Sequence, residues 1–484
     1  MTGSDPASGA PVDVLIVGAG VVGTAIARTL ARYELTCTVV ESGNDVGTGT
    51  TKANTAILHT GFDAVPGSLE SALVRRGAEL LRSYAQQAGI PLERTGALLI
   101  AWTAEQAAQL GQIEDKARRN GYRAASYVPA AELYAREPGL GPGALGALSV
   151  PDESIICPWT PPLAYATEAV RAGVRIELGT RVLGISNTDG VHEVRTSQGT
   201  RRCRWLVNAA GLESDTIDAM LGGAHFTITP RRGELIVFDK LARPLVSSIL
   251  LPVPTAQTKG VLVAPTVYGN VLLGPTAQDV ASKTDTATTA AGLGSLMDAG
   301  RRIVPGLVAE EVTATYAGLR AATEHRDYQI RVDASRRYAC VGGIRSTGLT
   351  ASLGIAEYVA GQLAEAGLDL RERSAVPPPP MMPYIGQAGV RPYQNPQRIA
   401  ADAAYGEIVC HCERVTGGEI RDALRSELPP ADLDGLRRRT RAMNGRCQGF
   451  FCGAAVARLA AAPDDRVKSN PEPGVPAGQG ERPA

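Results

Sequence analysis

Four of the eight cysteines in this chain form two close pairs near the C-terminus. One residue separates Cys410 from Cys412, and Cys447 and Cys452 enclose Gln-Gly-Phe-Phe. Thiolate ligands select zinc or iron–sulfur clusters, so this spacing predicts a soft metal centre. The ligand count suits both, and spacing alone leaves zinc and a [2Fe–2S] cluster open. The other four cysteines are scattered and are expected to be small core residues.

A glycine-rich turn follows the apolar strand predicted at Val12–Val17. Gly18 permits a tight turn, and Gly20 lets the backbone approach a pyrophosphate at a helix N-terminus. Gly23 lets the following helix, predicted over Val22–Tyr33, pack closely on the strand. The turn therefore has the features of a dinucleotide-binding site.

A second strand, predicted at Cys37–Val40, ends at Glu41, whose carboxylate can accept hydrogen bonds from two ribose hydroxyls. This unit alone does not decide between FAD and NAD. Two later segments, Arg204–Gly211 and Cys340–Thr350, pass from a strand into small residues or glycines and favour FAD. A helix starting in the second segment would place its positive dipole end against the flavin ring.

Alternating strand and helix patterns predict an α/β fold over most of the chain. We expect a Rossmann-like FAD-binding domain with an inserted α+β substrate domain, a linker, and a small helical metal-binding domain. The predicted FAD-binding pieces are about 11–75, 150–225 and 320–370, and the substrate-domain pieces about 76–149 and 226–319. The proline-rich linker is predicted at 371–405, the cysteine domain at 406–462 and a disordered tail at 463–484. Further predicted elements are strands Ala97–Ala101, Val174–Leu178, Trp205–Ala209, Leu235–Phe238 and Tyr338–Val341 and a helix at Leu349–Ala366.

Composition narrows the class of protein and its compartment. The 484 residues are 44% hydrophobic and 20% charged, which fits a globular protein with a sizeable core. Equal numbers of basic and acidic residues, 49 each, give no electrostatic footprint for nucleic acid. We see no secretory signal and no apolar run long enough for a membrane span. Sparse cysteines argue against a disulfide scaffold, so a cytoplasmic protein is expected, with a peripheral position at the inner membrane as an alternative.

Residues 11–370 resemble FAD-dependent dehydrogenases of the D-amino-acid oxidase type. The stretch Thr51–Gly61, followed by Pro66–Leu69, resembles the flavin-contacting loop of glycerol-3-phosphate and L-2-hydroxyglutarate dehydrogenases. Gly343–Ser352 resembles their second flavin loop. In Pro151–Thr160 the family's Gly-Thr-Val-Asp run is absent, which leaves the substrate open.

The C-terminal segment is similar to the last part of the A subunit of anaerobic glycerol-3-phosphate dehydrogenases. It has the same Cys-x-Cys pair, Arg-Arg-Arg-Thr-Arg run at 437–441 and Cys-Gln-Gly-x-x-Cys pattern. It thereby resembles the bacterioferritin-associated-ferredoxin-like class of [2Fe–2S] domains. The resemblance implies such a cluster on Cys410, Cys412, Cys447 and Cys452.

Motifs and resemblance together predict the site residues. His59, in the first flavin loop, is a candidate base or flavin contact, because imidazole titrates near working pH. The resemblance places Arg320 as the anchor for an anionic substrate, since a guanidinium binds carboxylate or phosphate through two hydrogen bonds. Arg232 and Arg345 are weaker candidates. The predicted FAD-binding residues are Gly18, Gly20, Gly23, Glu41, Thr51, Lys52, Asn54, Ala210, Gly211, Gly343, Ile344, Gly348, Leu349 and Thr350.

We therefore expect an FAD-dependent dehydrogenase of a small anionic alcohol or amine, of the glycerol-3-phosphate or 2-hydroxy-acid type. Hydride would pass to FAD, and single electrons would leave through the [2Fe–2S] cluster to an acceptor protein or a quinone. One alternative is an FAD oxidase that uses oxygen on an amino acid or hydroxy acid. Another is a non-catalytic electron-relay subunit of a larger complex. The exact substrate, the acceptor, assembly into a hetero-oligomer and covalent attachment of the flavin stay open.

Overall fold

The computed structural model describes residues 10–254 and 260–461, so the predicted tail lies outside the described residues. The strands are β1 (Val12–Val17), β2 (Cys37–Val40), β3 (Ile57–Leu58), β4 (Leu92–Glu93), β5 (Ala97–Ala101), β6 (Ser126–Pro129), β7 (Gly146–Val150), β8 (Ser154–Ile156), β9 (Arg175–Glu177), β10 (Val182–Thr188), β11 (Val191–Thr196), β12 (Gly199–Asn208), β13 (Thr229–Phe238), β14 (Ile249–Pro252), β15 (Leu262–Pro265), β16 (Val271–Gly274), β17 (Gln278–Asp279), β18 (Val312–Ala322), β19 (Gln329–Asp333), β20 (Tyr338–Gly342), β21 (Ile408–Cys410) and β22 (Val415–Thr416). The helices are α1 (Val21–Leu30), α2 (Leu69–Gln87), α3 (Ala104–Arg119), α4 (Ala130–Arg136), α5 (Thr160–Arg171), α6 (Ser214–Met220), α7 (Ala290–Ile303), α8 (Gly348–Glu365), α9 (Pro396–Ala401), α10 (Gly417–Leu424), α11 (Leu433–Thr440) and α12 (Gly453–Ala461).

The first sheet is built around β1, which runs parallel to β2 on one side and β12 on the other. Its order is β10-β11-β12-β1-β2-β9, with β20 beside the end of β12 and β19 beside β20. The apolar run of β1 is buried because parallel strands are covered on both faces. This sheet confirms the predicted Rossmann-like α/β core.

The glycine turn fixes how closely α1 packs on β1. Gly18 has φ +103°, which an L side chain rarely adopts, and a Cβ at Gly23 would lie 1.9 Å from the Gly18 carbonyl oxygen. The helix runs from Val21 to Leu30, shorter than the predicted Val22–Tyr33. It ends early because Tyr33 leaves the helix and forms a β-bridge with Glu372.

Helices α2 and α8 cross at a point of close contact beside the first flavin loop. A Cβ at Gly77 would lie 2.3 Å from the Thr350 carbonyl oxygen, and one at Gly354 would lie 2.6 Å from the Leu73 carbonyl oxygen. The small residues therefore set the depth of α8, whose N-terminus begins at Gly348. The predicted helix at Leu349–Ala366 is confirmed with each end displaced by one residue.

The second sheet has the order β17-β13-β16-β15-β14-β5-β7-β6, and β18 pairs with β13. Helix α7 packs on it, and a separate apolar core fills the space between them. β13 and β18 are antiparallel over nearly their whole length, which places Arg231 directly opposite Arg320. This register determines which basic side chains come together.

The cysteine region is a β-hairpin, β21–β22, with the three helices α10, α11 and α12 around its own small core. Thr416 and Glu419 form a capping box that starts α10. The preceding segment, predicted as a linker, contains α9 and buries Met382 and Ile385 against the large part of the chain. Within the two described ranges, no helix is long and apolar enough to cross a bilayer.

Candidate active site and metal centre

A cavity of about 1100 Å³ lies where the carboxyl ends of β1, β2 and β12 meet the second sheet. Ligands of open α/β sheets bind at these strand ends. The volume exceeds the ~300–1,000 Å³ of ordinary small-ligand sites, so the cavity can hold a large cofactor beside a small substrate.

Most of the predicted residues line this one cavity: Gly18, Gly20, Glu41, Thr51, Asn54, His59, Ala210, Gly211, Arg320, Ile344, Gly348, Leu349 and Thr350. Three others contribute differently. Gly23 lies behind the turn and sets the packing of α1. Lys52 has an exposed side chain, and its carbonyl oxygen accepts a hydrogen bond from Trp159 Nε1 at 3.1 Å. Gly343 has φ +66° and turns the chain after β20.

Glu41 organises the glycine turn as well as facing the cavity. Its Oε2 accepts a hydrogen bond from the Ala19 amide at 2.7 Å, and its Oε1 accepts one from the Gly43 amide at 2.7 Å. The Ser42 hydroxyl also donates to Oε1 at 3.3 Å, so the second lone pair of Oε2 is the one that can accept from a ribose.

Hydrogen bonds tie the first of the two flavin loops predicted by resemblance to α1 and to the second loop. Thr51 Oγ1 accepts from the Val21 amide at 3.0 Å, which ties the first loop to the start of α1. Thr350 Oγ1 accepts from the His59 amide at 3.0 Å, which ties the first loop to α8. The loops therefore hold His59 and the α8 N-terminus in fixed relation.

His59 is paired with a carboxylate that the sequence reasoning missed. His59 Nδ1 lies 3.0 Å from Glu153 Oε2, and the other Glu153 oxygen accepts from the Thr60 amide at 2.7 Å and the Thr60 hydroxyl at 3.0 Å. The Glu153 side chain is fully buried, while the His59 side chain is 26% exposed. The carboxylate selects the tautomer with the proton on Nδ1, which leaves the lone pair on Nε2. This arrangement suits a general base.

Arg320 is a partly buried cation within the same cavity. In the described ranges it forms no ion pair with a carboxylate, and its Nη1 donates a hydrogen bond to the Thr276 carbonyl oxygen at 3.4 Å. Burial, and next the neighbouring Arg231, lower the pKa of the Arg320 guanidinium. Arg231 itself is neutralised by Asp279 at 2.6 Å. An anion bound at Arg320 would relieve this uncompensated charge.

The weaker basic candidates have partners. Arg232 is buried between Asp285 and Gln278 and does not line the cavity. Arg345 lines it and donates to the Arg326 carbonyl oxygen. The sequence is rich in arginine and could not show which of these three arginines lacks a carboxylate partner. That depends on which carboxylates the fold brings near each guanidinium.

FAD fits the residues that are present. A Cβ at Gly18 would lie 2.6 Å from the Ala209 carbonyl oxygen, so a side chain there would clash with the backbone, and Gly18 and Gly20 line the cavity. The cavity extends from this turn to the N-terminus of α8. A helix N-terminus favours developing negative charge.

The four clustered cysteines lie in two contacting pairs. The thiols of Cys412 and Cys447 are within hydrogen-bonding reach, as are those of Cys410 and Cys452. The first pair lies toward the surface, and the second is buried. Hydrogen bonds from the Phe451 and Gly449 amides outweigh burial and lower the pKa of the Cys447 thiol.

The donor set consists of thiols alone, and thiolates are the ligands of iron–sulfur clusters. Four thiols in two pairs match the four thiolates of a [2Fe–2S] cluster, and backbone N–H groups near sulfur are among the features that tune such clusters.

Charged contacts join the cysteine region to the large part of the chain. Asp45 accepts from both Arg439 nitrogens at 2.6 and 2.7 Å and from Arg438 at 2.9 Å. Burial raises the pKa of Asp45, but the two arginines outweigh it and hold that pKa below its ordinary value. Asp239 pairs with Arg446 at 3.0 Å. Removing one partner of the buried Asp45 group would leave its charge uncompensated.

The fold and the two sites define a nucleotide-dependent oxidoreductase with an added metal domain. Residues 13–362 match the family described as FAD dependent oxidoreductase, and residues 408–462 match the BFD-like [2Fe-2S] binding domain. The chain belongs to the FAD dependent oxidoreductase family, and its C-terminal part is a [2Fe–2S] domain. It is thus an FAD-dependent enzyme whose electrons pass to a cluster.

Individual relatives agree with this assignment. A glycerol 3-phosphate dehydrogenase of Caloramator mitchellensis is 35% identical over 93% of this chain and 94% of its own. A glycerol 3-phosphate oxidase of Mycoplasma pneumoniae is 30% identical over 70% of this chain and 91% of its own. The solved structure of the reduced, FAD-bound L-alpha-glycerophosphate oxidase of the same organism has a TM-score of 0.72 at 28% identity and covers 76% of this chain and 98% of that one.

Proposed function

We propose that the protein is an FAD-dependent dehydrogenase of glycerol 3-phosphate. The observation that supports this most directly is Arg320, a partly buried cation in the cavity with no carboxylate partner in the described ranges. A phosphate monoester offers the oxygens that a guanidinium binds in parallel. The relative that matches nearly the whole chain is named a glycerol 3-phosphate dehydrogenase.

The residues divide the work between binding and proton transfer. Arg320 holds the phosphate and thereby orients the rest of the molecule in the cavity. His59 Nε2 takes the proton of the substrate hydroxyl, and Glu153 stabilises the resulting imidazolium. The bound FAD supplies the hydride acceptor. Phe62 and Leu99 line the cavity and help to exclude water.

The predicted FAD-binding residues that line the cavity are proposed as its contacts, and Cys410, Cys412, Cys447 and Cys452 as the cluster ligands. The glycine turn would receive the pyrophosphate, and the loops at Thr51 and Thr350 would hold the ring system. Cluster assembly is expected to fail when a ligand thiol is replaced, for example in Cys410→Ser.

The share of this chain that each relative matches favours a dehydrogenase over an oxidase. Two relatives named glycerol 3-phosphate oxidase match 70% and 72% of this chain, whereas the glycerol 3-phosphate dehydrogenase of Caloramator mitchellensis matches 93%. A [2Fe–2S] domain also offers electrons a route other than oxygen.

An anaerobic titration tests the proposal. The purified holoprotein is mixed with glycerol 3-phosphate, L-2-hydroxyglutarate, glycine or glycerol while visible and EPR spectra are recorded. We expect glycerol 3-phosphate to bleach the flavin and then produce the EPR signal of a reduced cluster. Bleaching only by another compound would reject the substrate, no bleaching at all would favour an electron-relay subunit, and stoichiometric peroxide in air would favour the oxidase.

We further infer that electrons leave beside Phe450 and Phe451. These residues are 95% and 73% exposed, whereas the other three phenylalanines are buried, and they lie between two proposed cluster ligands. The two segments that carry the proposed ligands, residues 410–414 and 447–458, end in the exposed arginines Arg414 and Arg458. Their single carboxylate, Glu413, is buried. This surface fits a one-electron acceptor protein with an apolar contact and an acidic rim.

The double substitution Phe450→Ser, Phe451→Ser should raise the KM for an acidic carrier such as plastocyanin by about tenfold, since exposed aromatic anchors dominate protein contacts. Flavin and cluster reduction by substrate should be unchanged. Met381→Ser, at an equally exposed apolar residue, is the control. An unchanged KM, or equal loss with a quinone in lipid vesicles, would reject a protein acceptor at this surface.

A further inference from the structure

An aromatic pair lies at the boundary between the flavin-binding part and the cluster domain. The rings of Trp159 and Tyr268 stack with centroids 5.3 Å apart and an interplanar angle of 19°. The cluster domain contributes Arg441, whose guanidinium carbon is 4.0 Å from the Tyr268 ring centroid and 5.7 Å from that of Trp159. A cation over an aromatic face is attracted by the ring quadrupole, so this contact joins the two parts.

On one side the contact leads directly to a proposed cluster ligand. Arg441 Nε donates to Glu413 Oε2 at 3.1 Å, and Lys240 Nζ donates to the same oxygen at 3.1 Å. Glu413 is the residue after Cys412 and is 2% exposed. These two ion pairs hold the guanidinium of Arg441 in place against the rings.

The backbone of Arg441 is adapted to this position. Arg441 ends α11 with φ +72° and ψ −1°, a left-handed conformation that non-glycine residues seldom adopt. Its side chain is 6% exposed, although arginine is rarely buried without a specific partner. This conformation ends the helix, and the guanidinium packs between Glu413 and the two rings.

On the other side the contact leads to the flavin cavity. Trp159 Nε1 donates to the Lys52 carbonyl oxygen at 3.1 Å, and the neighbours of Lys52 in the chain, Thr51 and Ala53, both line the cavity. Tyr268 is held in place by a hydrogen bond from its hydroxyl to Cys157 Sγ at 2.9 Å. Direct contacts therefore run from Cys412 to the cavity wall.

We propose that Trp159, Tyr268 and Arg441 form the bridge by which electrons pass from the flavin cavity to the cluster. The proposal rests on the cluster being bound at the four proposed cysteines. Each passage moves one electron from the reduced flavin to the oxidised cluster, so oxidation of one substrate molecule needs two passages. Between them a one-electron acceptor must reoxidise the cluster.

The rival explanation is that the three side chains only fasten the domain. A variant at Asp45 distinguishes the two explanations. The ion pairs of Asp45 with Arg438 and Arg439 also join the domains, but they do not involve the aromatic rings. Asp45→Asn weakens the attachment and leaves the bridge intact. Trp159→Leu removes the bridge and leaves the Asp45 pairs intact, and Tyr268→Leu is the second bridge variant.

The experiment is an anaerobic stopped-flow measurement of flavin bleaching and of the cluster signal after mixing holoprotein with substrate. Trp159→Leu and Tyr268→Leu should slow cluster reduction by about tenfold, a barrier increase of about 1.4 kcal/mol, while flavin bleaching is unchanged. Midpoint potentials of flavin and cluster, from a spectroelectrochemical titration, should equal those of the unchanged protein. Asp45→Asn should transfer electrons at the normal rate.

The outcomes are distinguishable. Normal cluster reduction in both bridge variants would overturn the proposal, as would equal slowing in Asp45→Asn, which would make attachment the cause. A shift in the potentials that accounts for the slower rate would overturn it too. If the unchanged holoprotein gives no [2Fe–2S] EPR signal after chemical reduction, the ligand assignment fails and the bridge fails with it.

Discussion

Reduction of the bound flavin by substrate is expected to slow by about 10²–10⁴-fold when His59 is replaced with alanine, the usual contribution of a positioned general base. FAD should stay bound, because the glycine turn and Glu41 are untouched. Single-turnover stopped-flow absorbance checks the rate, and the flavin spectrum checks occupancy. His325→Ala, at a half-exposed histidine outside the cavity, is the matched control.

Substitution of Glu153, the carboxylate paired with His59, is expected to slow flavin reduction by a smaller factor. Glu153→Gln keeps the shape of the side chain but loses the charge that faces His59 Nδ1. Loss of a hydrogen bond to a charged group, worth about 1.5–3 kcal/mol, should slow flavin reduction by about 10–100-fold. The pH dependence of the reduction rate should change as well, because the imidazolium loses its counter-charge. An unchanged rate in His59→Ala would remove His59 from the role of base and limit it to a flavin contact.

Substitution of Arg320 with methionine should lower kcat/KM for glycerol 3-phosphate by about 10²–10³-fold, because a desolvated charge pair is lost. Methionine keeps much of the side-chain volume, so the cavity should not collapse. Any flavin reduction by glycerol, which has no phosphate, should be unaffected. The ratio of the two kcat/KM values therefore isolates recognition of the anion.

Two further variants sharpen this result. Arg320→Lys keeps the charge but loses the bidentate geometry and should recover only part of the activity. Arg301→Met, at an exposed arginine on α7 outside the cavity, should change neither ratio nor rate. Equal losses for glycerol and glycerol 3-phosphate in Arg320→Met would mean that Arg320 shapes the cavity instead of binding phosphate.

Local patterns predicted the elements of the nucleotide unit closely. The strand at Val12–Val17 and the strand at Cys37–Val40 occur at the predicted bounds. Their apolar runs and the glycine spacing were enough to predict them, because hydrophobic periodicity and steric limits act over a few residues. The end of α1 was predicted too far along, since a contact with the distant Glu372 ends it.

Local sequence patterns could not predict which residues pair with the site residues. Glu153 reaches His59 only because β8, next to it in the chain, pairs with β3, the strand just before His59. Arg231 stands opposite Arg320 through the long β13–β18 register. Neither pairing has a local signature, since sheet register is set by packing across the whole sheet.

The amino-acid sequence by itself determined the kinds of cofactor that this protein takes: its glycine turn, its flavin-type loops and its four clustered cysteines each depend on residues that are close together in the chain. Only the tertiary structure decided which charges of the described residues are left without a partner and which side chains lie between the two sites. Arg320 and the Trp159–Tyr268 pair owe their proposed roles to neighbours from distant segments. The physical reason is that short-range sterics and periodicity fix local conformation, whereas burial and charge compensation depend on the complete fold.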